Sequence, residues 1–166
     1  MKRKTAITYF KSPIGFLKIV GEEDTIKRIS FVEGEERSTE GKISMPMFHC
    51  IRQLEEYFDG KREAFDLPLA PEGTEFQKQV WEALKEIPFG ITTSYAKQAK
   101  RLGDLKKIRA VGTANGKNPI AIVIPCHRVI GSDGSLTGYA GGLDKKEWLL
   151  KHERCLPGYN QLKLFG

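Results

Sequence analysis

Cys126 stands beside His127 near the end of an apolar run, Ile122-Val123-Ile124-Pro125-Cys126-His127-Arg128-Val129, and a thiol next to an imidazole is a pairing that nucleophilic chemistry uses. A free thiol, with a reference pKa of about 8.5, is mostly un-ionised at neutral pH, so it needs a base or a positive field. His127 is the nearest base, and an acid such as Glu153 would fix its tautomer. Adjacent side chains on an extended segment point apart, so the spacing leaves direct contact open and makes a bridging water an alternative relay. The competing reading is packing, because a cysteine after an apolar strand is also a small buried hydrophobe.

The other thiols, Cys50 and Cys155, are scattered and make no CxxC pair, which predicts free thiols rather than a disulfide framework. His49-Cys50 offers half of a metal site with no further ligands nearby, so no metal is expected. No run is long enough to span a bilayer, and Met1-Lys2-Arg3-Lys4-Thr5 is not followed by the apolar stretch of a signal peptide. The expectation is a cytoplasmic protein without a membrane partner.

Charge adds a location. Of 27 basic and 21 acidic residues, the first 70 positions hold 12 of each, so the whole net charge of +6 falls after them. Lys97, Lys100, Arg101, Lys106, Lys107, Arg109 and Lys117 face only Asp104 in that stretch. A solvated helix face can look like this, but cations focused on an otherwise neutral chain are also the footprint of a surface that docks on phosphates.

Short β-branched and aromatic runs at Thr5 to Phe10, Phe16 to Val20 and Ile26 to Val32, separated by turn residues, predict a small antiparallel sheet. Met47, Ile51, Leu54 and Phe58 recur at helical spacing, and Gly60 ends that helix. The Pro- and Gly-containing stretch from Asp66 to Gly73 marks a boundary, giving a strand-and-helix lobe over 1–70 and a second domain over 71–166.

In the second domain, Thr74-Glu75-Phe76-Gln77 is a capping-box signature opening a helix of about four turns up to Pro88. Ser94 caps a short helix, Gly103-Asp104 turns the chain, and Leu105, Ile108 and Val111 mark another helix, which together make a helix-turn-helix pattern. The glycine-rich segment from Gly131 to Gly142 reads as a loop. Asp144 and Glu147 resemble a capping pair for a final helix reaching about Arg154. The fold class is α+β: a small N-terminal antiparallel sheet with a helix, then a mainly helical domain holding the helix-turn-helix and the cysteine.

Four blocks in order, Arg109-Ala110-Val111-Gly112, Asn118-Pro119, Pro125-Cys126-His127-Arg128-Val129 and Gly138-Tyr139-Ala140-Gly141-Gly142-Leu143, resemble the O6-alkylguanine-DNA alkyltransferase family, as does the ending Lys146 to Glu153. The likeness is specific over about residues 74–155. It implies a DNA repair protein that flips a damaged base out of double-stranded DNA and moves the alkyl group from O6-alkylguanine, and from O4-alkylthymine, to its own cysteine, irreversibly and once per molecule. No cofactor is implied.

By position in the family pattern, Cys126 is the acceptor and His127 with Glu153 the water-linked relay. Tyr95 is the hydroxyl that meets the flipped base, and Asn118 the hinge that buttresses the cysteine turn. Arg109 replaces the extruded nucleotide, Ala110 allows close approach to the minor groove, and Lys106, Lys107 and Arg128 join them in DNA binding. Tyr139, Ala140, Gly141 and Gly142 wall the base pocket. Some relatives carry serine where this chain has Ala140, which removes a hydroxyl contact to the O6 atom and leaves backbone N–H groups to serve. The resemblance is compatible with a monomer and leaves cooperative binding along DNA open. A lesion-binding protein without transfer would lack Cys126, a helix-turn-helix regulator would leave the Cys-His-Glu set and the glycine loop unexplained, and a cysteine hydrolase would show a nucleophile-elbow or protease signature.

Overall fold

The structure, a computed structural model, describes residues 4–34 and 38–155; Met1-Lys2-Arg3 and residues 156–166 of the sequence reading lie outside them. The chain divides into two compact units, one of Met1–Glu72 with Pro119–Ala121, the other of Gly73–Asn118 with Ile122–Gly166.

In the first unit, β1 (Ala6–Ser12), β2 (Gly15–Gly21) and β3 (Ile26–Val32) form an antiparallel sheet in sequence order, with Ala6 opposite Gly21 and Phe16 opposite Val32. Alternation is cleanest in β2, where Leu17, Ile19 and Gly21 face inward. Beyond its pairing with β2, β3 makes single bridges to Leu69 and Ile120, which cover backbone groups that an edge strand would expose. Helix α1 (Met45–Phe58) buries Met47, Cys50, Leu54 and Tyr57 at spacings of three and four, one apolar stripe. It packs on β1 and β2 so closely that a Cβ on Gly21 would lie 2.7 Å from Met47 Cγ.

The second unit begins with α2 (Glu75–Lys85), whose capping box forms as the sequence predicts: Gln77 N–H donates to Thr74 Oγ1 at 3.1 Å and Thr74 N–H to Gln77 Oε1 at 2.9 Å. The helix has three turns, not four, because Pro88 disfavours helical backbone at the residue before it. Its Trp81 is buried and donates from Nε1 to the carbonyl of Ala114 at 2.9 Å.

After a two-residue strand β4 (Thr93–Ser94) come α3 (Tyr95–Arg101), a single 3-10 turn at Leu105–Lys107, and α4 (Ile108–Gly116). Ser94 Oγ caps α3 by accepting from Lys97 N–H, and Asp104 caps the 3-10 turn through Lys106 N–H. The two helices of this corner are joined by a buried reciprocal amide pair: Gln98 Nε2 donates to Asn115 Oδ1 at 3.2 Å, and Asn115 Nδ2 to Gln98 Oε1 at 2.8 Å.

The apolar run before the cysteine is not a strand. Ile122 has a φ of 71°, a left-handed backbone that a β-branched side chain rarely takes, at an order-of-magnitude cost of about 1–3 kcal/mol. Its side chain is buried, so packing holds it there. The strand that does form is β5 (Val129–Ile130), after the cysteine, parallel to β4. The last helix, α5 (Leu143–His152), starts from Gly142 at a φ of 104° with no side-chain cap, so Asp144 and Glu147 do not make the expected capping pair.

Replacing Asn115 by Ala strands the Gln98 amide in the core, and we expect a loss of about 1–3 kcal/mol in urea unfolding. The double change Gln98→Leu with Asn115→Leu removes both polar groups and recovers part of that loss. A single Asn115→Ala variant as stable as the parent would show that the pair does not hold the corner.

Candidate active site

Cys126, His127 and Arg128 form one 3-10 turn, so the extended geometry that would separate adjacent side chains does not apply to them. Arg128 N–H donates back to the carbonyl of Pro125 at 3.0 Å, and Asn118 Nδ2 donates to the carbonyl of Ile124 at 2.8 Å, which braces the turn from outside. Directly after it, Val129 and Ile130 pair with Thr93 and Ser94, the residues that open α3. That short parallel pairing fixes Tyr95, at the start of α3, relative to the cysteine.

Tyr95, Gly112, Asn115, Gly116, Cys126, Gly138, Tyr139 and Ala140 line a cavity of about 280 Å3. Cys126 is half-buried on its wall. Gly138 reaches a φ of 60°, which bends the loop at the cavity edge where other residues would be strained. Gly141 and Gly142 lie farther along, in the turn that starts α5, where Gly142 N–H donates to the carbonyl of Tyr139.

Behind the cysteine is a fully buried charge cluster. His127 Nε2 and Glu153 Oε2 are 2.7 Å apart, and the Arg128 guanidinium holds the same carboxylate through Nε to Oε1 at 2.7 Å and Nη2 to Oε2 at 3.2 Å. Arg128 Nη1 also donates to the carbonyl of Ile87 at 2.6 Å. His127 and Glu153 are 0% and 1% exposed, so these contacts operate away from water.

Burial alone would raise the Glu153 carboxyl, but the charge and hydrogen bond of His127, followed by those of Arg128, hold it at about 2. Burial lowers His127 below its ordinary value despite the nearby carboxylate, so the imidazole is neutral at pH 7. A carboxylate acceptor at Nε2 places the imidazole proton there and leaves Nδ1 with a lone pair. Nδ1 is buried and has no hydrogen-bond partner among the described residues.

The thiol of Cys126 is raised by burial and pulled back in part by the Asn118 side-chain hydrogen bond and the charge of Lys146. It therefore rests protonated and needs a base. Burial pushes Cys50 and Cys155 up to about 12, so neither is a competing nucleophile.

The structure brings together Cys126, His127, Glu153, Tyr95, Asn118, Tyr139 and Ala140. Lys106, Lys107, Arg109 and Ala110 lie exposed on the helical corner, with Lys107 Nζ 5.7 Å from the centre of the Phe76 ring. Arg101, counted with the same cations, pairs instead with Glu86 at 2.8 Å.

Arg128 is a correction. It is 6% exposed and bound to Glu153 and to the Ile87 carbonyl, so its guanidinium is not on a surface that meets DNA. Lys146 was missed. It shares a face of α5 with Leu149 and Leu150, is fully buried, and points its Nζ at the carbonyls of Thr137 and Gly138 at 2.9 and 3.1 Å. A lysine at that spacing from an apolar pair was the available signal. Among the described residues no group of three or more His, Cys, Asp or Glu side chains is placed to hold a metal ion, and no helix is long and apolar enough to cross a membrane.

Two family models match the chain: the DNA binding domain of 6-O-methylguanine DNA methyltransferase over residues 75–155, and its ribonuclease-like domain over residues 6–71. A methylated-DNA–protein-cysteine methyltransferase of Methanosarcina acetivorans is 52% identical, the match covering 87% of this chain and 95% of that protein. One from Haemophilus influenzae is 44% identical over 89% and 85% of the two chains. Among solved structures, Mycobacterium tuberculosis OGT in complex with DNA is 41% identical, with a TM-score of 0.80 and coverage of 95% and 98%. The O6-methylguanine methyltransferase of the same organism gives 39% and 0.82, over 92% and 94%.

Two outcomes follow from the buried cluster. Arg128→Met leaves the Glu153 charge buried with half its partners gone, and should cost about 3–5 kcal/mol in urea unfolding. Unchanged stability with weaker DNA binding and a shallower salt dependence would return Arg128 to the DNA surface. Second, Glu153 has a folded value of about 2 against about 4.5 when unfolded, so its contribution to stability is complete above the unfolded value and is lost as pH falls toward 2. The parent should therefore lose stability between about pH 5 and pH 3 more steeply than Glu153→Gln; parallel curves would contradict the depressed carboxyl.

Proposed function

We propose that this chain, which belongs to the family of methylated-DNA–protein-cysteine methyltransferases, takes the alkyl group from O6-alkylguanine, and from O4-alkylthymine, in double-stranded DNA onto its own Cys126. One observation carries the reading: Cys126 lies on the wall of the cavity, and the next residue of its 3-10 turn is a buried neutral imidazole whose Nδ1 has no hydrogen-bond partner among the described residues.

In this account a water between Cys126 Sγ and His127 Nδ1 carries the thiol proton to the imidazole, and Glu153 stabilises the imidazolium that results. Sulfur attacks the alkyl carbon, the C–S bond forms as the C–O6 bond breaks, and the electron pair passes to the base. The hydroxyl of Tyr95 donates to that base as its charge develops. The thioether left on Cys126 has no bond that water easily breaks, so each molecule reacts once. Gly138, Tyr139 and Ala140 wall the pocket, with no side-chain hydroxyl at residue 140.

A duplex base cannot reach this cavity while stacked. Flipping costs a few kcal/mol, and a planar cation that fills the gap offsets part of it, the role given to Arg109 at the start of α4. Ala110 beside it lets the helix approach the minor groove, while Lys106 and Lys107 contact phosphates. The protein works in the cytoplasm as a monomer, and binding depends strongly on salt and little on sequence.

Incubation with an oligonucleotide containing O6-methylguanine should add the mass of one methyl group, in place of one hydrogen, to the peptide bearing Cys126. No adduct, or an adduct on Cys50 or Cys155, would refute the assignment. Arg109→Ala should slow reaction with the duplex at least about tenfold more than reaction with free O6-benzylguanine, the change that losing about 1.4 kcal/mol or more of flipping assistance produces. Equal losses on both substrates would show that Arg109 does not act through flipping.

A further inference from the structure

We propose that the face of the three-stranded sheet opposite α1 is a binding surface for single-stranded DNA. This face belongs to the first unit, whereas the cysteine and the helical corner belong to the second.

Strand pairing fixes what the face carries. Helix α1 packs against the side that holds Leu17, Ile19 and Gly21, and on that side the Phe10 ring stacks on Phe58 at 6.0 Å between centres. Successive side chains alternate, so the other side presents Tyr9 and Lys11 from β1, Phe16 and Lys18 from β2, and Arg28 from β3. Tyr9 stands opposite Lys18 and Lys11 opposite Phe16, so two rings occupy one diagonal of a square and two ammonium groups the other. Arg28, opposite Val20, extends the cations onto β3. Lys11 and Arg28 are exposed, and Tyr9, Phe16 and Lys18 partly so. Among the described residues none of these cations has an ion-pair partner, and neither ring stacks on another.

The charge on this face is one-sided. The first 70 residues hold as many acids as bases, yet the three strands contain no Asp or Glu. Among the described residues, pairing sets one carboxylate beside the face, that of Glu40 opposite Ile7, at the outer edge of β1. Lysines on a sheet commonly guard an edge strand against pairing with another chain. Phe16 and Lys18 are on β2, the central strand, where there is no edge to guard.

Cations interleaved with solvent-reaching rings suit a nucleic acid strand, because ammonium and guanidinium groups hold phosphates while aromatic faces stack bases of any sequence. Tyr9 and Phe16 are diagonal neighbours, roughly 7–8 Å apart, which is twice the rise per nucleotide of a duplex strand. Two bases can lie on both rings only after leaving each other's stack, which selects an unpaired strand over a duplex. Membership of a family that acts on DNA assigns that strand as DNA.

Fluorescence anisotropy of the full chain with a labelled oligothymidylate of about 16 nucleotides tests the proposal. Changing Lys11, Lys18 and Arg28 together to Ala should weaken binding at least about tenfold at low salt. The slope of log affinity against log salt should fall by about two, because each lost phosphate contact on a single strand removes about 0.7. Tyr9→Leu with Phe16→Leu keeps apolar bulk but removes the stacking faces, and should weaken binding at least about fivefold with the slope unchanged. Both variants should transfer methyl from an O6-methylguanine duplex within about twofold of the parent rate. Conversely, Lys106→Ala with Lys107→Ala and Arg109→Ala should lose duplex binding and keep oligothymidylate binding within about threefold.

Parent-like oligothymidylate binding by either sheet variant, or its loss in the corner variant, would overturn the proposal. Oligouridylate bound more tightly than oligothymidylate would give the face to RNA instead. The alanine variant alters only cations that reach solvent, so it decides the matter if the leucine variant does not fold.

Discussion

The carboxylate of Glu153 is the point on which the second unit turns. It sits just past the end of α5, out of water, and both of its oxygens are taken by the turn that carries the cysteine: one by Arg128, the other shared by His127 and Arg128. Removing either partner would leave an ion in a medium that solvates it poorly, so the arrangement is held by the cost of its alternatives. Arg128 extends the constraint to the segment after α2 through the Ile87 carbonyl. Three segments far apart in sequence are thereby set at fixed distances from one sulfur atom.

That constraint also resolves a conflict between burial and reactivity. A cavity that excludes water strengthens every interaction inside it but pushes the Cys126 thiol up, away from the thiolate that attacks. The chain answers with modest helpers at the sulfur, Asn118 and Lys146, and with a base behind it whose proton is already committed to Glu153. Burial depresses His127 for the same reason that it raises the thiol, because both prefer their neutral forms there. The pair is therefore uncharged at rest, and in the proposed reaction charge separates only when an electrophile makes the transfer favourable.

Local signals in the sequence carried far. Thr74 with Gln77 and Ser94 with Lys97 cap their helices as their side chains allow, since capping needs only neighbours three residues apart. The alternation in β2 and the stripe on α1 were legible for the same reason. Glu153 could be named as the acid that fixes the His127 tautomer before any family likeness was considered, and the family pattern added Tyr95, Asn118 and Tyr139, which no spacing rule would join to Cys126. What stayed hidden depends on long-range packing. Arg128 reads as one more cation beside a basic face, and only the fold reveals that Glu153 arrives from 25 residues away to bury it. Ile122 looks like strand, yet its backbone turns at positive φ because the buried side chain outweighs local preference. The two-residue strands β4 and β5 are too short to leave a pattern, although their pairing sets Tyr95 beside the cysteine. At Asp144 a plausible capping residue was displaced because the helix starts from Gly142, two residues earlier.

The central claim is that His127 waits as a neutral base with its proton on Nε2. Nitrogen NMR of histidine-labelled protein tests it directly, since the chain has three histidines and a His127→Gln variant identifies the signal. The account predicts that Nε2 stays protonated and Nδ1 bare from about pH 8 down through about 6.5, the ordinary titration point of histidine. An imidazolium at pH 7, or a proton resting on Nδ1, would contradict it.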